Sequence, residues 1–573
     1  MSARHLLGIT FGPVQDFIAA ARRTSDLWAG SQLLSSASRA AARSLEDQGA
    51  TLVYPPSSSI RADGDVPNVV VAILEGSGDE VRSLCRAAQD AARSKLVEVG
   101  EKVLSDWPGL REDRYRAQLT DALEAYSAWV PMDAGFGPAF RSLGLAMAAR
   151  KATRNFEPHR HGAKAPKNSL DGLRETVLPD KSSSILSKKL RLSKGEQLDA
   201  LGVVKRHLGR QESFAALTRV ASQEWLQTLD PAHLKTLIDV HEPMVNLEVV
   251  RRTKASQFSA FPYDASLLYP NRLAAERRES PDAALHLDRL QQVLNHLWKQ
   301  VGQPLSYVAL LLADGNRMGR YLQQVAKSND PPGLELHGRL SQGMVNFADE
   351  ARRKVTRLGG QVVYAGGDDV MALVPVHQVL NAARELDQAF QAQLASLPGD
   401  EKPNLRVGVA VAHMVEPLGN IRGWAHDEER LAKGDGSDPS RAHALSVCVY
   451  QRGGGQLRTR LSFDQTNDFD ALEQWMSAYR AKRLASRLAY QIRGIAERGE
   501  QQRLSDGVVE AEFERLMLRQ QKGDDGSKLD DDLALGIRTR LGELGNLRQL
   551  GTEMILARWL SARTEKDLSR GNQ

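Results

Sequence analysis

The chain has 573 residues, of which 42% are hydrophobic and 26% charged, with a net charge of +5. This length predicts three or four domains, and the small positive charge permits a phosphate-bearing partner without demanding one. Cys85 and Cys448 are the only cysteines, which excludes a disulfide framework and a four-cysteine zinc site and favours a reducing, cytoplasmic setting. No apolar run approaches the ~20 residues that span a bilayer, so no membrane partner is expected.

The first hundred residues alternate between strand and helix patterns. Residues 5–11, 51–54 and 69–74 are short β-rich runs, which predict three strands. Apolar residues at helical spacing follow the first strand and again cover 78–105. This order predicts a ferredoxin-like sheet with helices on one face, in a first domain over residues 1–110.

Residues 111–300 are predicted to form a mostly helical insert. Within them, residues 150–195 are rich in Lys and Arg and poor in large apolar residues, which favours loops. Such a stretch is either a solvated surface or a patch that faces RNA or DNA phosphates, and the sequence leaves both readings open.

The strand and helix pattern of the first domain returns in residues 301–455. A nearly continuous apolar run over 305–313 predicts a central strand. Two β-rich runs, 361–365 and 370–374, flank Gly-Gly-Asp-Asp and predict a hairpin. Further strands are predicted at 405–413 and 444–450, with helices between them, so this is a second domain of the same topology.

The last part of the chain, residues 456–573, is charged and helical and predicts a C-terminal helical bundle. The predicted fold class is therefore α+β, with two ferredoxin-like domains, a helical insert between them and a bundle at the end.

Three carboxylates are the strongest candidate site. Asp314 follows the predicted central strand, and Asp368 and Asp369 lie at the tip of the hairpin expected beside it. Clustered carboxylates repel one another unless a cation shares them, and Mg²⁺ prefers such oxygen ligands together with substrate phosphates. Gly366 and Gly367 would let backbone and phosphate approach closely. The alternative is a simple turn, as in Gly-Asp-Asp-Gly at 523–526, which lacks flanking β-rich runs.

Lys433 is a second candidate because it lies at a predicted helix end after the next strand. A lysine there could hold a triphosphate, although a single lysine is more often only solvated.

Seven motifs occur in an order that resembles the large subunit of type III CRISPR effector complexes, and within that family the Cmr (III-B) branch. They are residues 12–24 (Gly-Pro-Val-Gln-Asp-Phe-Ile-Ala-Ala-Ala-Arg-Arg-Thr), 26–31 (Asp-Leu-Trp-Ala-Gly-Ser), 67–68 (Pro-Asn), 169–175 (Ser-Leu-Asp-Gly-Leu-Arg-Glu), 204–206 (Val-Lys-Arg), 314–319 (Asp-Gly-Asn-Arg-Met-Gly) and 364–369 (Tyr-Ala-Gly-Gly-Asp-Asp).

The resemblance implies two palm domains related to nucleotidyl cyclases and polymerases. It implies a subunit that joins ATP molecules into cyclic oligoadenylate when target RNA binds the guide RNA complex. Neighbouring small subunits and a guide-end-capping subunit are implied as partners. A 3′-hydroxyl would attack an α-phosphate with the help of two Mg²⁺ or Mn²⁺ ions.

The resemblance also implies roles for individual residues. Asp314, Asp368 and Asp369 would be catalytic acids and metal ligands. The residues implied to contact nucleotide are Gly366 and Gly367 against phosphates, Lys433 on the triphosphate, Ser31 and Asn68 of the first palm at one ATP, and Ser341 at the other.

Three departures from the family pattern modify these expectations. The first palm begins at about residue 5, so the His-Asp nuclease domain of many members, and with it DNA cleavage, is not expected. Residues 162–167 (Gly-Ala-Lys-Ala-Pro-Lys) stand where a cysteine zinc site would be, so no zinc is expected. Asn316 replaces a second acid of the first-strand motif, although its amide oxygen can still face a cation.

Two other functions remain open at this stage. The chain could be a scaffold that holds RNA and subunits with inactive acids. It could also be a cyclic-dinucleotide cyclase that works alone, but Asp369 and Val370 then stand where such enzymes typically have Glu and Phe.

Overall fold

The computed structural model describes residues 3–61, 65–153, 165–180, 186–187, 190–211, 214–328, 332–399, 401–434, 442–522 and 528–569. Two β-sheets and the helices that cover them make a mixed α+β structure, which confirms the predicted class. The basic segment and the expected position of a zinc site lie partly outside the described residues.

The first sheet has four antiparallel strands in the order β2-β3-β1-β4. The strands are β1 (Arg4–Gly12), β2 (Thr51–Tyr54), β3 (Val69–Glu75) and β4 (Glu124–Pro131). The helices of this unit are α1 (Val14–Ala19), α2 (Thr24–Asp47), α3 (Ser57–Arg61), α4 (Gly78–Asp106), α5 (Glu112–Thr120) and α6 (Phe136–Ala152).

Alternation along β1 divides the apolar side chains of this unit between two faces. Leu7 and Ile9 pack with α2 and α4 in the main core, whereas Leu6 faces Leu143 of α6 on the opposite side. Helix α4 begins at a capping box in which Ser77 and Glu80 satisfy each other's backbone N–H groups.

The first helix of the insert packs with α2, α4 and α5 in the core of the first unit, whereas the helices after it pack on the second sheet. The helices of the insert are α7 (Ala200–Gln211), α8 (Leu217–Ala221), α9 (Gln223–Thr228), α10 (Pro231–Asn246), α11 (Pro270–Glu279) and α12 (Ala284–Val301). Short 3₁₀ turns lie at Ser256–Phe258, Ser266–Leu268 and Pro281–Ala283.

The second sheet has six strands in the order β10-β9-β8-β5-β7-β6, and only the β8–β9 pair is parallel. The strands are β5 (Tyr307–Asn316), β6 (Gln361–Gly366), β7 (Asp369–Val374), β8 (Asn404–His413), β9 (Ala444–Tyr450) and β10 (Gln456–Ser462). The helices are α13 (Met318–Val325), α14 (Gly333–Arg357), α15 (Val379–Leu394) and α16 (Leu418–Ala432), with a 3₁₀ turn at Val376–Gln378.

Burial on both faces explains the continuous apolar sequence of β5. Val308 and Leu310 pack against the helical insert, and Ala309 and Leu311 pack against α14 and α15. A strand that is covered on both sides has no polar face to alternate with the apolar one.

The C-terminal helices extend the core of the second sheet. They are α17 (Thr466–Arg480), α18 (Ser486–Gln502), α19 (Asp506–Lys522), α20 (Asp531–Leu544), α21 (Leu547–Ser561) and α22 (Glu565–Ser569). Trp475, Ile492 and Met554 are fully buried in that same core. The bundle is therefore packed onto the second sheet.

Two strands lie outside the expected domain boundaries. Strand β4 pairs with β1 although it follows residue 110, and β10 pairs with β9 although it follows residue 455. Both strands are at sheet edges, where solvent-facing polar positions weaken the apolar signal. Cys85 and Cys448 are free and buried. Among the described helices, none combines the length and the apolar character that a membrane span needs.

A buried histidine predicts pH-dependent stability. His443 lies between Asp387 at 2.6 Å and Asp464 at 2.8 Å. Burial opposes its charge, but the hydrogen bonds and charges of Asp387 and Asp464 prevail and raise its pKa. A histidine with a raised pKa stabilises the fold fully below its unfolded pKa of about 6.5, and this contribution disappears as the pH rises through the folded pKa. We expect His443→Gln to lower the melting temperature more at pH 6 than at pH 9, measured by calorimetry.

The control for this prediction is His233→Gln, because His233 lies at a partly exposed helix start beside Asp230 and His296. That variant should keep the pH dependence of the parent protein. An equal loss of stability for His443→Gln at both pH values would contradict the prediction.

Candidate active site

The end of β5 and the β6–β7 hairpin bring the three predicted acids together. Carboxylate oxygens of Asp314, Asp368 and Asp369 lie within 4.8 Å of one another, and among the described residues this is the group with the geometry of a metal site. Strand β5 lies beside β7 in the sheet, so the strand end and the hairpin tip meet at one edge. The predicted convergence of these acids is therefore observed.

The protonation of this acidic triad reflects crowding of like charges. Burial raises the pKa of Asp368 to about 7, and the charge of Asp314 adds to this effect while Arg406 opposes it. Burial is the larger cause, and a hydrogen bond with Asp314 the next, of a pKa of Asp369 that is raised well above the usual range. Carboxyls that resist ionisation side by side form a donor set that a divalent cation would stabilise.

Arg406 supplies the positive charge that the protein itself places in the triad. It is the cross-strand neighbour of Asp314 on β8, and it forms ion pairs with both Asp314 and Glu429. Glu429 also accepts a hydrogen bond from His426 at 2.9 Å. Helix α16 can bring Glu429 to this point because Gly408 has no side chain, and a Cβ there would lie 2.5 Å from the Cα of Glu429.

Close packing explains why glycine occupies three positions around the triad. A Cβ on Gly366 would lie 2.6 Å from the hydroxyl of Tyr364, and one on Gly367, where φ is +67°, would lie 2.9 Å from the hydroxyl of Tyr54. Gly315 is equally constrained, since a Cβ there would lie 2.6 Å from Oδ2 of Asp368. The hairpin tip is therefore enclosed on the protein side by two tyrosine hydroxyls.

The first domain forms the opposite wall of a cleft of about 500 Å³ above the triad. Ser31 and Asn68 line this cleft together with Asp314 and Asp369. Ser31 is only 2% exposed, and its hydroxyl has no hydrogen-bond partner among the described residues. Asn68 donates a hydrogen bond to the carbonyl of Phe11 at 3.2 Å. A hydroxyl of this kind in a cleft wall can accept a hydrogen bond from a ligand or donate one to it.

Three other residues considered for the site are not part of the cleft lining, namely Ser341, Lys433 and Asn316. Ser341 is 4% exposed on α14, and its hydroxyl also lacks a partner among the described residues. Lys433 is exposed just beyond α16, one helical turn after the cleft residue Glu429. Asn316 is buried and donates its amide to Asn404 at 3.2 Å.

Asp65 joins the two domains directly behind the hairpin. Its carboxylate, 1% exposed, accepts a hydrogen bond from Gln32 at 2.6 Å and forms an ion pair with Arg352 of α14. Arg352 also donates to the carbonyl of Ala365 on β6 at 2.7 Å. One buried carboxylate thus connects the wall of the cleft to the strand that leads into Gly366.

Sequence reasoning did not identify Arg406, Glu429, Tyr54 or Asp65. Arg406 was detectable as a charged residue within a predicted strand, a position that needs a partner when the strand is central. Asp65 lies in a polar loop segment and gave no comparable signal.

A sheet of this kind, with acids at the end of one strand and on the neighbouring hairpin, defines a palm domain, which is a nucleotidyltransferase-like fold. Residues 307–440 match the second palm domain of Cas10/Cmr2, and residues 6–101 match the N-terminal region of the CRISPR-associated protein Cmr2. Both of these regions therefore belong to the Cas10/Cmr2 family.

One curated relative and two solved structures are also similar to this chain. The Cmr2 subunit of the CRISPR Cmr system of Pyrococcus furiosus is 23% identical over 516 residues, which are 72% of this chain and 58% of that protein. The chain thus spans less than two thirds of the length of this relative. A type III-B Cmr-beta structure in the apo state has a TM-score of 0.62 at 14% identity, and covers 92% of this chain and 78% of its own.

The second structure is type III-B Cmr-beta bound to cognate target RNA, with a TM-score of 0.58 at 13% identity, covering 87% of this chain and 76% of its own. At such identities the likeness establishes the fold.

Removal of one acid should stabilise the metal-free protein. A carboxyl whose pKa is higher in the folded protein destabilises the fold as the pH rises from about 4, its unfolded pKa, through its folded pKa. Because the folded pKa of Asp368 is about 7, we expect Asp368→Asn to melt above the parent in EDTA at pH 8, with a smaller difference at pH 5. With Mg²⁺ or Mn²⁺ the order should reverse, since only the parent keeps the full ligand set.

The control is Asp427→Asn, an exposed carboxylate of α16, which should leave the melting order unchanged. An Asp368→Asn protein that melts below the parent in EDTA at pH 8 would argue against charge crowding in the triad.

Gly315 should be required for the geometry of the triad. An added methyl at this position would displace Asp368, so Gly315→Ala should weaken Mn²⁺ binding about tenfold or more, about 1.4 kcal/mol, in a calorimetric titration. Gly319→Ala is the matched control, because a Cβ at Gly319 meets no atom within 4 Å. Equal Mn²⁺ affinity of the two variants would refute this account.

Proposed function

We propose that this chain is the large subunit of a type III-B RNA-guided antiviral complex and that it converts ATP into cyclic oligoadenylate when target RNA binds. The observation that carries the proposal is the acidic triad of the second palm, of which Asp314 and Asp369 line a cleft whose other wall is the first palm. The family matches over residues 6–101 and 307–440 support it, as do the fold likenesses to type III-B assemblies.

In the proposed reaction, the 3′-oxygen of one ATP forms a bond to the α-phosphorus of another. The bond from that phosphorus to the β-phosphate oxygen breaks, pyrophosphate leaves, and the hydroxyl proton passes to water in the cleft. Mg²⁺ or Mn²⁺ on the triad would neutralise the charge that develops on the phosphates. Asp314, Asp368 and Asp369 act as the ligands, and Arg406 fixes the position of Asp314.

The first palm contributes the proposed nucleotide contacts of one ATP. The unpaired hydroxyl of Ser31 and the amide of Asn68 are positioned on the cleft wall to contact its ribose or adenine. Ser341 is proposed for the second ATP, and Lys433 for a triphosphate that extends past Glu429. Gly366 and Gly367 are proposed to lie against the phosphates through their backbone, since their Cβ positions would point toward the hydroxyls of Tyr364 and Tyr54.

The proposed partners follow from the same assignment. They are a guide RNA, a target RNA, and the neighbouring small and guide-end-capping subunits of a multi-subunit complex. The P. furiosus relative is a Cmr subunit, and one of the similar structures is bound to cognate target RNA. Two ferredoxin-like palms are part of this proposal, and it is supported by the strand order β8-β5-β7-β6, which repeats the order and directions of β4-β1-β3-β2.

The ion pair between Arg406 and Asp314 favours a second candidate, an inactive scaffold in the same complex. In that case the guanidinium takes the place of a cation, and the palms serve only to hold RNA and subunits. The buried amide of Asn316, turned toward Asn404, points the same way because it removes one possible ligand from the triad.

The decisive experiment is mass spectrometry of nucleotide products from the reconstituted complex. With target RNA, ATP and Mg²⁺ or Mn²⁺ we expect cyclic oligoadenylate, and EDTA should abolish it. Asp368→Ala combined with Asp369→Ala should reduce the rate at least about 1000-fold, since the lost charge stabilisation is several kcal/mol. RNA binding should persist.

The matched control is Asp524→Ala combined with Asp525→Ala, which removes the same two charges from a similar Gly/Asp sequence. This control should retain activity. Absence of product from the parent complex, with RNA bound, would favour the scaffold.

A further inference from the structure

A second cavity, of about 460 Å³, lies where the first palm, the basic segment and the helical insert meet. Its wall is formed by the start of α2, the end of α7, residues 214–218 and 251–253, and helix α11. Seven arginines line it against three carboxylates, counted among the described residues. None of these residues belongs to the acidic triad or to the cleft above it.

Arg251 is the most informative of these arginines. Its Nε and Nη2 atoms are buried and have no hydrogen-bond partner among the described residues. The charge of Asp264, a carboxylate of the same cavity, acts on Arg251, but its hydrogen bonds come from the backbone N–H and the hydroxyl of Ser266 at 3.1 and 2.9 Å. Buried N–H groups without an acceptor are unfavourable. An anion bound in the cavity would therefore be stabilised by accepting hydrogen bonds from Arg251.

The opposite wall is also positive. Arg23 precedes α2, lines the cavity, and donates to the carbonyl of Arg191 at 2.6 Å. Burial, and then the charge of Arg206, lower the pKa of Arg23 to about 10, which leaves it charged at neutral pH. Thr24 and Ser25 form the first turn of the 24-residue helix α2, whose N-terminus adds a partial positive charge. Arginine clusters of this kind recognise phosphate through paired N–H groups.

The remaining wall is apolar and includes an aromatic ring. Phe214 is half-buried at the cavity, with its ring centroid 6.3 Å from that of Trp28, and Leu217, Leu267 and Met414 lie on the same lining. Flat apolar surfaces beside arginines suit a nucleobase, because every base offers a π-face for stacking. The volume lies within the range of small-ligand sites.

We propose that this cavity binds a nucleotide, with its phosphate held by Arg23, Arg251 and Arg272 and its base against Phe214. The ligand is either a free nucleotide or one nucleotide of a single RNA strand, since both present the same phosphate and base. The site is independent of the proposed catalysis because it needs neither the triad nor a metal ion.

The test uses the full-length chain in EDTA, which removes metal-dependent binding at the triad. The probes are a fluorescent single-stranded RNA of about ten nucleotides, followed by anisotropy, and AMP, UMP and inorganic phosphate, followed by calorimetry. Arg272→Gln is the main variant, because Arg272 is exposed on α11 and its loss should not unfold the chain. We expect it to weaken binding about tenfold, the worth of one charged hydrogen bond.

The matched control is Arg277→Gln, on the same helix but paired with Asp288 and absent from the cavity lining. It should stay within about twofold of the parent. Phe214→Ala should weaken RNA or mononucleotide binding and leave inorganic phosphate unaffected. Binding of RNA alone identifies a strand as the source, and binding of AMP or UMP identifies a free nucleotide.

Three results would overturn the proposal. They are no binding of any probe, equal losses in Arg272→Gln and Arg277→Gln, and binding of inorganic phosphate alone.

Discussion

Mutual repulsion among Asp314, Asp368 and Asp369 is the constraint to which the rest of the cleft is fitted. Three carboxylates within 4.8 Å of one another cannot all be charged without compensation. The protein compensates in part by raising the pKa values of the hairpin acids and in part through Arg406. Gly315 and Gly408 provide the space that this arrangement needs, one beside Asp368 and the other beneath α16.

The first domain completes this site, and none of its described residues adds an acid to the triad. It contributes a wall with a serine hydroxyl that has no partner among the described residues, a tyrosine hydroxyl against the hairpin, and the buried carboxylate of Asp65. Asp65 lies between Gln32 and Arg352, so a change in the distance between the two domains would strain or break the ion pair of this buried carboxylate.

The parts of the fold with strong local signals were predictable. The apolar run of β5, the turn residues of the hairpin and the helical periodicities predicted most of the palm elements within a few residues. Strand β10 alternates Leu457, Thr459 and Leu461 inward with arginines outward, a signal that was present but obscured by charge at a sheet edge. Strand β4 is a mixed sequence within a largely helical region, so only its pairing with β1 defines it.

The sequence by itself determined which chemistry is available. It contains two acids on a turn, one acid after a buried strand, and two β-rich regions with similar element order, because turn chemistry and apolar periodicity are local properties. Only the tertiary structure decided which groups meet. Arg406 faces Asp314 through strand register, Glu429 reaches Arg406 through helix packing over Gly408, and Ser31 lines the same cleft as the acids because the two domains pack together. Such pairings depend on packing between residues far apart in the chain, which no local pattern encodes.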